Sequence, residues 1–240
     1  MLMKRLGVIG GLGPLATAQF MEMVVRMTDA RHDRDHIPMI INSYPATPDR
    51  TRFILGQSED SPLPTMVRIG QELAGMGAEC IAIPCVTAYF FYGQLAANIP
   101  VPVIDLIGET ALHLQENQVT CAGLMATDGT LAGGFFRRRL EEAGIEVVEP
   151  SAANQKLVMK IIYDHVKANQ PVNMADFATV GNELRQQGAQ VILLGCTELS
   201  SIHRDQPIGN GYLNVMAVQA RKAVLLCGAK LKPAFAKLIT

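Results

Sequence analysis

Along the chain, short apolar runs of strand length alternate with longer segments whose apolar positions recur at helical spacing. The pattern predicts a strand over Leu6–Gly10, a helix from about Pro14 to Asp29, and a strand over Pro38–Ser43. Tyr44–Pro64 is polar and proline-rich and reads as a long loop. A helix over Thr65–Met76 leads into a strand over Cys80–Pro84. A helix follows Thr87, and Val101–Ile104 forms a short strand behind a Pro-Val-Pro entry. The plan then repeats: strand Thr120–Met125, helix Leu131–Ala143, strand Ile145–Val148, long helix Asn154–Ala168, helix Met174–Gln187 and strand Gln190–Leu194. Such alternation predicts an α/β fold with mostly parallel sheets, whose crossovers the helices supply.

The repeat is visible in the residues themselves. "GVIGGLGPLATAQF" from Gly7 aligns without gaps on "GLMATDGTLAGGFF" from Gly123, matching Gly13 to Gly129 and Phe20 to Phe136 at an offset of 116. "GAECIAIPCVTA" from Gly77 aligns on "GAQVILLGCTEL" from Gly188, matching Cys85 to Cys196 at an offset of 111. Two similar half-chains with a small length difference account for both. We therefore expect two pseudo-symmetric α/β domains with an active site in the cleft between them. The boundary falls near Leu112–Gln118: residues 1–113 with 213–240 form one domain, and residues 114–212 the other. The apolar segment Leu213–Cys227 has no counterpart in the first half and is expected to pack back on the first domain.

Composition narrows the partners. The net charge is −1 and no basic tract stands out, which argues against nucleic acid and anionic membrane. No apolar run reaches the roughly 18 residues of a membrane helix. The start of the chain has no signal-peptide pattern. Five cysteines, an odd number in a long chain, argue against a disulfide framework and for a reduced, cytoplasmic protein.

Ligands of open α/β sheets bind beyond the carboxyl ends of the strands. Cys85 and Cys196 are both placed there, each ahead of a helix start, a position that favours thiolate. Two thiols facing each other could take a proton from one face of a carbon and return one to the other. Cys80, Cys121 and Cys227 lie inside apolar runs and read as core. The loop "GGLGP" brings backbone N–H groups at Gly11 and Leu12 toward an anionic substrate, and Pro14 starts the helix. Its glycine spacing also fits a dinucleotide fingerprint. However, Asn42 and Ser43 end the second strand where that motif needs an acid. His32 and His36 sit in a charged loop, and no metal site is expected.

"PCVTA", "GCTEL", "GVIGGLGPLAT", "SYPATPDRT" and "PSAANQKLVMKIIYDHVKANQ" together resemble the aspartate/glutamate racemase family over nearly the whole chain. The resemblance implies a homodimeric amino-acid racemase without a cofactor, acting on an acidic amino acid or related carboxylate. Cys85 and Cys196 are then the acid/base pair, and Thr87, Thr127 and Thr197 hold the substrate's carboxylate and amine. Arg50 and Lys167 match basic positions of the aspartate racemases, with Arg50 suited to clamp a second carboxylate. Glu198 after Cys-Thr resembles the aspartate-racemase branch. Where the family commonly reads Cys-Asn-Thr-Ala-His, this chain has Val86 and Tyr89 in place of Asn and His. Other readings are an isomerase or decarboxylase of the same superfamily, or a binding protein without catalysis. Decarboxylases of this type use one of the two cysteines, so the presence of both favours racemisation or isomerisation.

Overall fold

The computed structural model describes residues 3–240. Strands β1 (Leu6–Gly10), β2 (Met39–Ser43) and β3 (Cys80–Ala82) form a parallel sheet in the order β2-β1-β3. Strands β4 (Cys121–Met125), β5 (Glu146–Val148), β6 (Val191–Leu194) and β7 (Tyr212–Asn214) form a second parallel sheet in the order β5-β4-β6-β7. Each sheet is built outward from its first strand in the same way. Strands β1, β3 and β6 are buried along their whole length, which is why they read as unbroken apolar runs rather than alternating ones.

The helices are α1 (Pro14–Met27), α2 (Arg50–Ile54), α3 (Leu63–Gly75), α4 (Tyr92–Asn98), α5 (Leu106–Glu116), α6 (Asp128–Gly133), α7 (Phe135–Glu142), α8 (Ala152–Lys160), α9 (Met174–Gln186), α10 (Leu199–Asp205) and α11 (Val215–Leu226). Several differ from the sequence reading. The long loop after β2 contains α2, capped by the Asp49 carboxylate accepting from Arg52 N. The helix expected over Leu131–Ala143 is two helices, broken at Gly134, which adopts a left-handed φ of 63°. The helix expected to run to Ala168 changes to π-helix over Ile161–Val166. The segment after Thr87 begins as a 3-10 turn over Val86–Phe91 before α4.

The expected strand at Val101–Ile104 shrinks to one parallel bridge, Ile81 to Val103. Pro100 and Pro102 have no N–H to extend a ladder there. This remnant occupies the place that β7 holds beside β6, and each is followed by a helix capped by a polar side chain. Asp105 accepts from Gly108 N at α5, and Asn214 accepts from Met216 N and Ala217 N at α11. The segment from Leu213 thus has a counterpart in the first half, which proline had hidden from the sequence comparison. Helix α11 packs on both α5 and α1.

Candidate active site

Cys85 and Cys196 line one small chamber between the two sheets. Cys85 follows β3 through Ile83-Pro84, in extended conformation, and caps the 3-10 turn. Cys196 follows β6 through Gly195, where a Cβ would lie 2.6 Å from Leu124 Cδ1 and 3.0 Å from Met125 O. Only glycine lets the chain turn that tightly against β4. Both thiols are nearly enclosed, at 4 % and 7 % exposure. The chamber has about 20 Å³ of free space, room for roughly one water. It shares Leu12, Asp49, Arg50, Lys167, Thr197 and Glu198 with an outer vestibule of about 620 Å³.

The two thiols have unlike surroundings. The Cys196 thiol donates to Glu198 Oε2 at 2.8 Å, and Thr197 Oγ1 donates to the same oxygen at 3.3 Å. Lys167 Nζ lies 3.9 Å from Glu198 Oε1 and 4.1 Å from the centre of the Tyr163 ring. Burial first, then the charge and hydrogen bond of Glu198, push the Cys196 thiol well above its ordinary pKa. The expectation that a helix start would ease its ionisation is overturned: the carboxylate and the loss of water outweigh the neighbouring short helix.

Among the described residues no carboxylate hydrogen-bonds the Cys85 sulfur; Thr87 Oγ1 lies 3.3 Å from it. Arg50 and, more weakly, Lys167 are its charged neighbours. Burial opposes the Arg50 charge, but Cys85, Asp49 and Glu198 outweigh burial and raise the guanidinium above its ordinary pKa. Nη1 of Arg50 donates to the Thr47 and Pro48 carbonyls, and Nη2 donates to the Leu12 carbonyl at 2.9 Å. Nε is buried without a partner among the described residues. Lys167 is likewise raised: burial opposes its charge, but Glu198 leads the groups that outweigh burial.

Each residue expected at the site lies in or beside the chamber. Leu12, Arg50, Val86, Thr87, Thr127, Lys167, Thr197 and Glu198 line it with the cysteines, and Gly11 lines the vestibule. Thr127 caps α6, accepting from Thr130 N, and its Oγ1 also accepts from Thr51 Oγ1 of α2 at 3.5 Å. Tyr89 points away from the chamber. Its hydroxyl donates to Ile104 O and accepts from Gln219 Nε2. Sequence reasoning missed Thr51, Tyr163 and Thr130. The first two adjoin recognised positions, one residue after Arg50 and four before Lys167, so local spacing carried a signal for them.

A sequence profile described as Asp/Glu/hydantoin racemase matches residues 9–223. The chain belongs to this family. Among relatives, a broad specificity amino-acid racemase RacX from Bacillus subtilis is 24 % identical over 82 % of this chain and 86 % of its own. A Picrophilus torridus aspartate racemase structure superposes with a TM-score of 0.83 and 28 % identity, covering 97 % of each chain. An arylmalonate decarboxylase shares the fold at a TM-score of 0.59 and 14 % identity over 98 % of each chain. No helix among the described residues of this family member is long and apolar enough to cross a membrane.

Proposed function

We propose that the chain is a cofactor-independent amino-acid racemase in which Cys85 and Cys196 work on opposite faces of the substrate α-carbon. The observation that carries this reading is the convergence of two cysteine turns, one from each sheet, on one buried chamber. The unlike surroundings support a resting Cys196 thiol held on Glu198, with Cys85 placed beside the Arg50 guanidinium as its partner on the opposite face. In one direction the Cys85 thiolate removes the α-proton. The Cys196 thiol then donates its proton to the opposite face and is left as thiolate. The reverse direction exchanges the roles, and the Glu198–Lys167 pair bears on the charge of Cys196 at each turnover. The carbanionic transition state is stabilised by donors around the α-carboxylate, Lys167 and the hydroxyls of Thr87, Thr127 and Thr197, while the Nε–H of Arg50, unpartnered among the described residues, meets the side-chain carboxylate. The backbone of Gly11 and Leu12 borders the vestibule into which the substrate side chain extends.

This reading divides the chain into residues 1–113 with 213–240 and residues 114–212, which part to admit the substrate. It takes an acidic amino acid or related carboxylate as substrate, and a homodimer in the cytoplasm as the working form. Deuterium exchange at the α-carbon tests the chemistry. Cys85→Ser and Cys196→Ser should each abolish racemisation, because a serine hydroxyl is a far weaker acid than a thiol. Each should still exchange the α-proton of one enantiomer, and the two variants should choose opposite enantiomers. Racemisation at the wild-type rate by either variant overturns the two-base reading.

A further inference from the structure

Two further cysteines meet elsewhere in the fold. Cys80 opens β3 and Cys227 caps the end of α11, and their sulfurs lie 3.6 Å apart, although 147 residues separate them in sequence. Each is 1 % exposed. They sit in the apolar cluster formed by β1, β3, α1 and α11, and neither lines the chamber of Cys85 and Cys196. Packing alone gives no reason for two sulfurs to face each other, since an alanine or valine would fill either place.

We infer that Cys80 and Cys227 form a peroxide-driven, reversible disulfide that ties the C-terminal helix to the strand leading to Cys85. The separation in the reduced state is an unbonded contact, and the sulfurs need to close by roughly 1.5 Å to reach bonding distance. The pair is also chemically asymmetric. Its hydrogen bond to Cys227 is the leading influence on Cys80 and lowers its pKa, with help from Lys4, while the same bond leads in raising Cys227. We take Cys80 as the attacking sulfur, an order that sulfenic-acid trapping in Cys227→Ser checks. Its thiolate displaces hydroxide from hydrogen peroxide and becomes a sulfenic acid. The Cys227 thiol then attacks that sulfur, giving up its proton and releasing water. Two thiols lose two electrons and two protons, and one peroxide becomes two waters. Access is provided by the edge of the cluster, where Met3, Ala229 and Leu231 are only partly buried.

The consequence runs through α11. Gln219 on this helix donates to Ile83 O and to the Tyr89 hydroxyl, on either side of Cys85. A covalent link at Cys227 holds that support in place. The inference does not depend on the racemase reading. The test uses the folded, full-length protein treated with hydrogen peroxide, then denatured and alkylated with N-ethylmaleimide. Peptide mass spectrometry is expected to show Cys80 joined to Cys227, reversed by dithiothreitol. The melting temperature should rise by on the order of 5 °C in the wild type and not in Cys227→Ser. In Cys227→Ser, dimedone should trap Cys80 as the sulfenic acid. Full alkylation of both cysteines after peroxide, or conversion of Cys80 to sulfinic acid without a cross-link, overturns the proposal.

Discussion

At the scale of single residues, the site is organised by which polar groups are already committed. Glu198 accepts from both Cys196 and Thr197 on one oxygen, so its first effect is on the thiol beside it. Replacing it by glutamine removes the negative charge that helps hold the Cys196 proton. The Cys196 pKa should then fall, because burial remains but the repulsion does not. Glu198→Gln is expected to move the alkaline limb of the pH–rate profile to lower pH, measured with isotopically labelled substrate in both directions. An unmoved limb would mean that Glu198 acts on the substrate instead. Arg50 is committed differently, with both Nη atoms on backbone carbonyls and Nε left over. Arg50→Lys retains a charge but loses this geometry, and should weaken diacid substrates by about 1–3 kcal/mol relative to monoacids. Equal loss on both classes would make Arg50 a strut for the loops rather than a determinant of specificity.

Local backbone conformation explains how these side chains arrive. Gly11 has φ of +81°, and a Cβ there would run into the backbone of Tyr44 and Pro45. Its N–H donates to Thr17 Oγ1 at 2.9 Å, fixing the loop to α1, so this N–H is committed within the protein and does not face an anionic substrate, contrary to the expectation from the sequence. Gly11→Ala should therefore destabilise the fold by at least ~2 kcal/mol in urea denaturation, since left-handed strain and the backbone clash add. A loss below ~0.5 kcal/mol would show that the loop relaxes freely. Gly13 has a different duty. A Cβ on it would sit 3.1 Å from Glu198 Oε1, so the glycine leaves room for the carboxylate. Across the chamber, the π-helical turn closes with Lys167 N donating to Ile162 O at 2.9 Å. Such a wide turn changes the phase of the following residues, and it sets Lys167 over the Tyr163 ring and toward Glu198.

On the scale of the whole molecule, the two halves meet through both close backbone approaches and side-chain contacts such as Phe90 against Phe135. A Cβ on Gly129 would lie 2.9 Å from Thr51 Cα, so α6 can approach α2 only with glycine at that position. A buried bond from Gln19 Nε2 to Ser201 Oγ, 2.6 Å long, ties α1 to α10. The chamber beside these contacts has about 20 Å³ of free space, too little for an amino acid, and the functional reading has the halves part to admit one. Between copies, sedimentation at micromolar concentration should give a species of twice the 26.0 kDa chain mass. A stable 26.0 kDa species would remove the homodimer from the functional reading.

The alternating apolar runs and the duplicated cysteine turns were enough to read parallel α/β architecture, internal duplication and the two thiols from the sequence. Those features are local or periodic: burial on both faces leaves continuous apolar strands, and a repeated turn leaves a repeated string. Helix breaks and phase changes were harder to see. Gly134 and the π turn interrupt segments whose helical spacing continues on both sides, so periodicity alone runs through them. The strand pairing lost at Pro102 hid the counterpart of β7. Only the tertiary structure decided that Glu198 faces Cys196, that Tyr89 turns toward Gln219, and that Cys80 meets Cys227. In each case the partner's position depends on how separate elements pack, and a thiol's ionisation depends on the burial and charge that this packing creates.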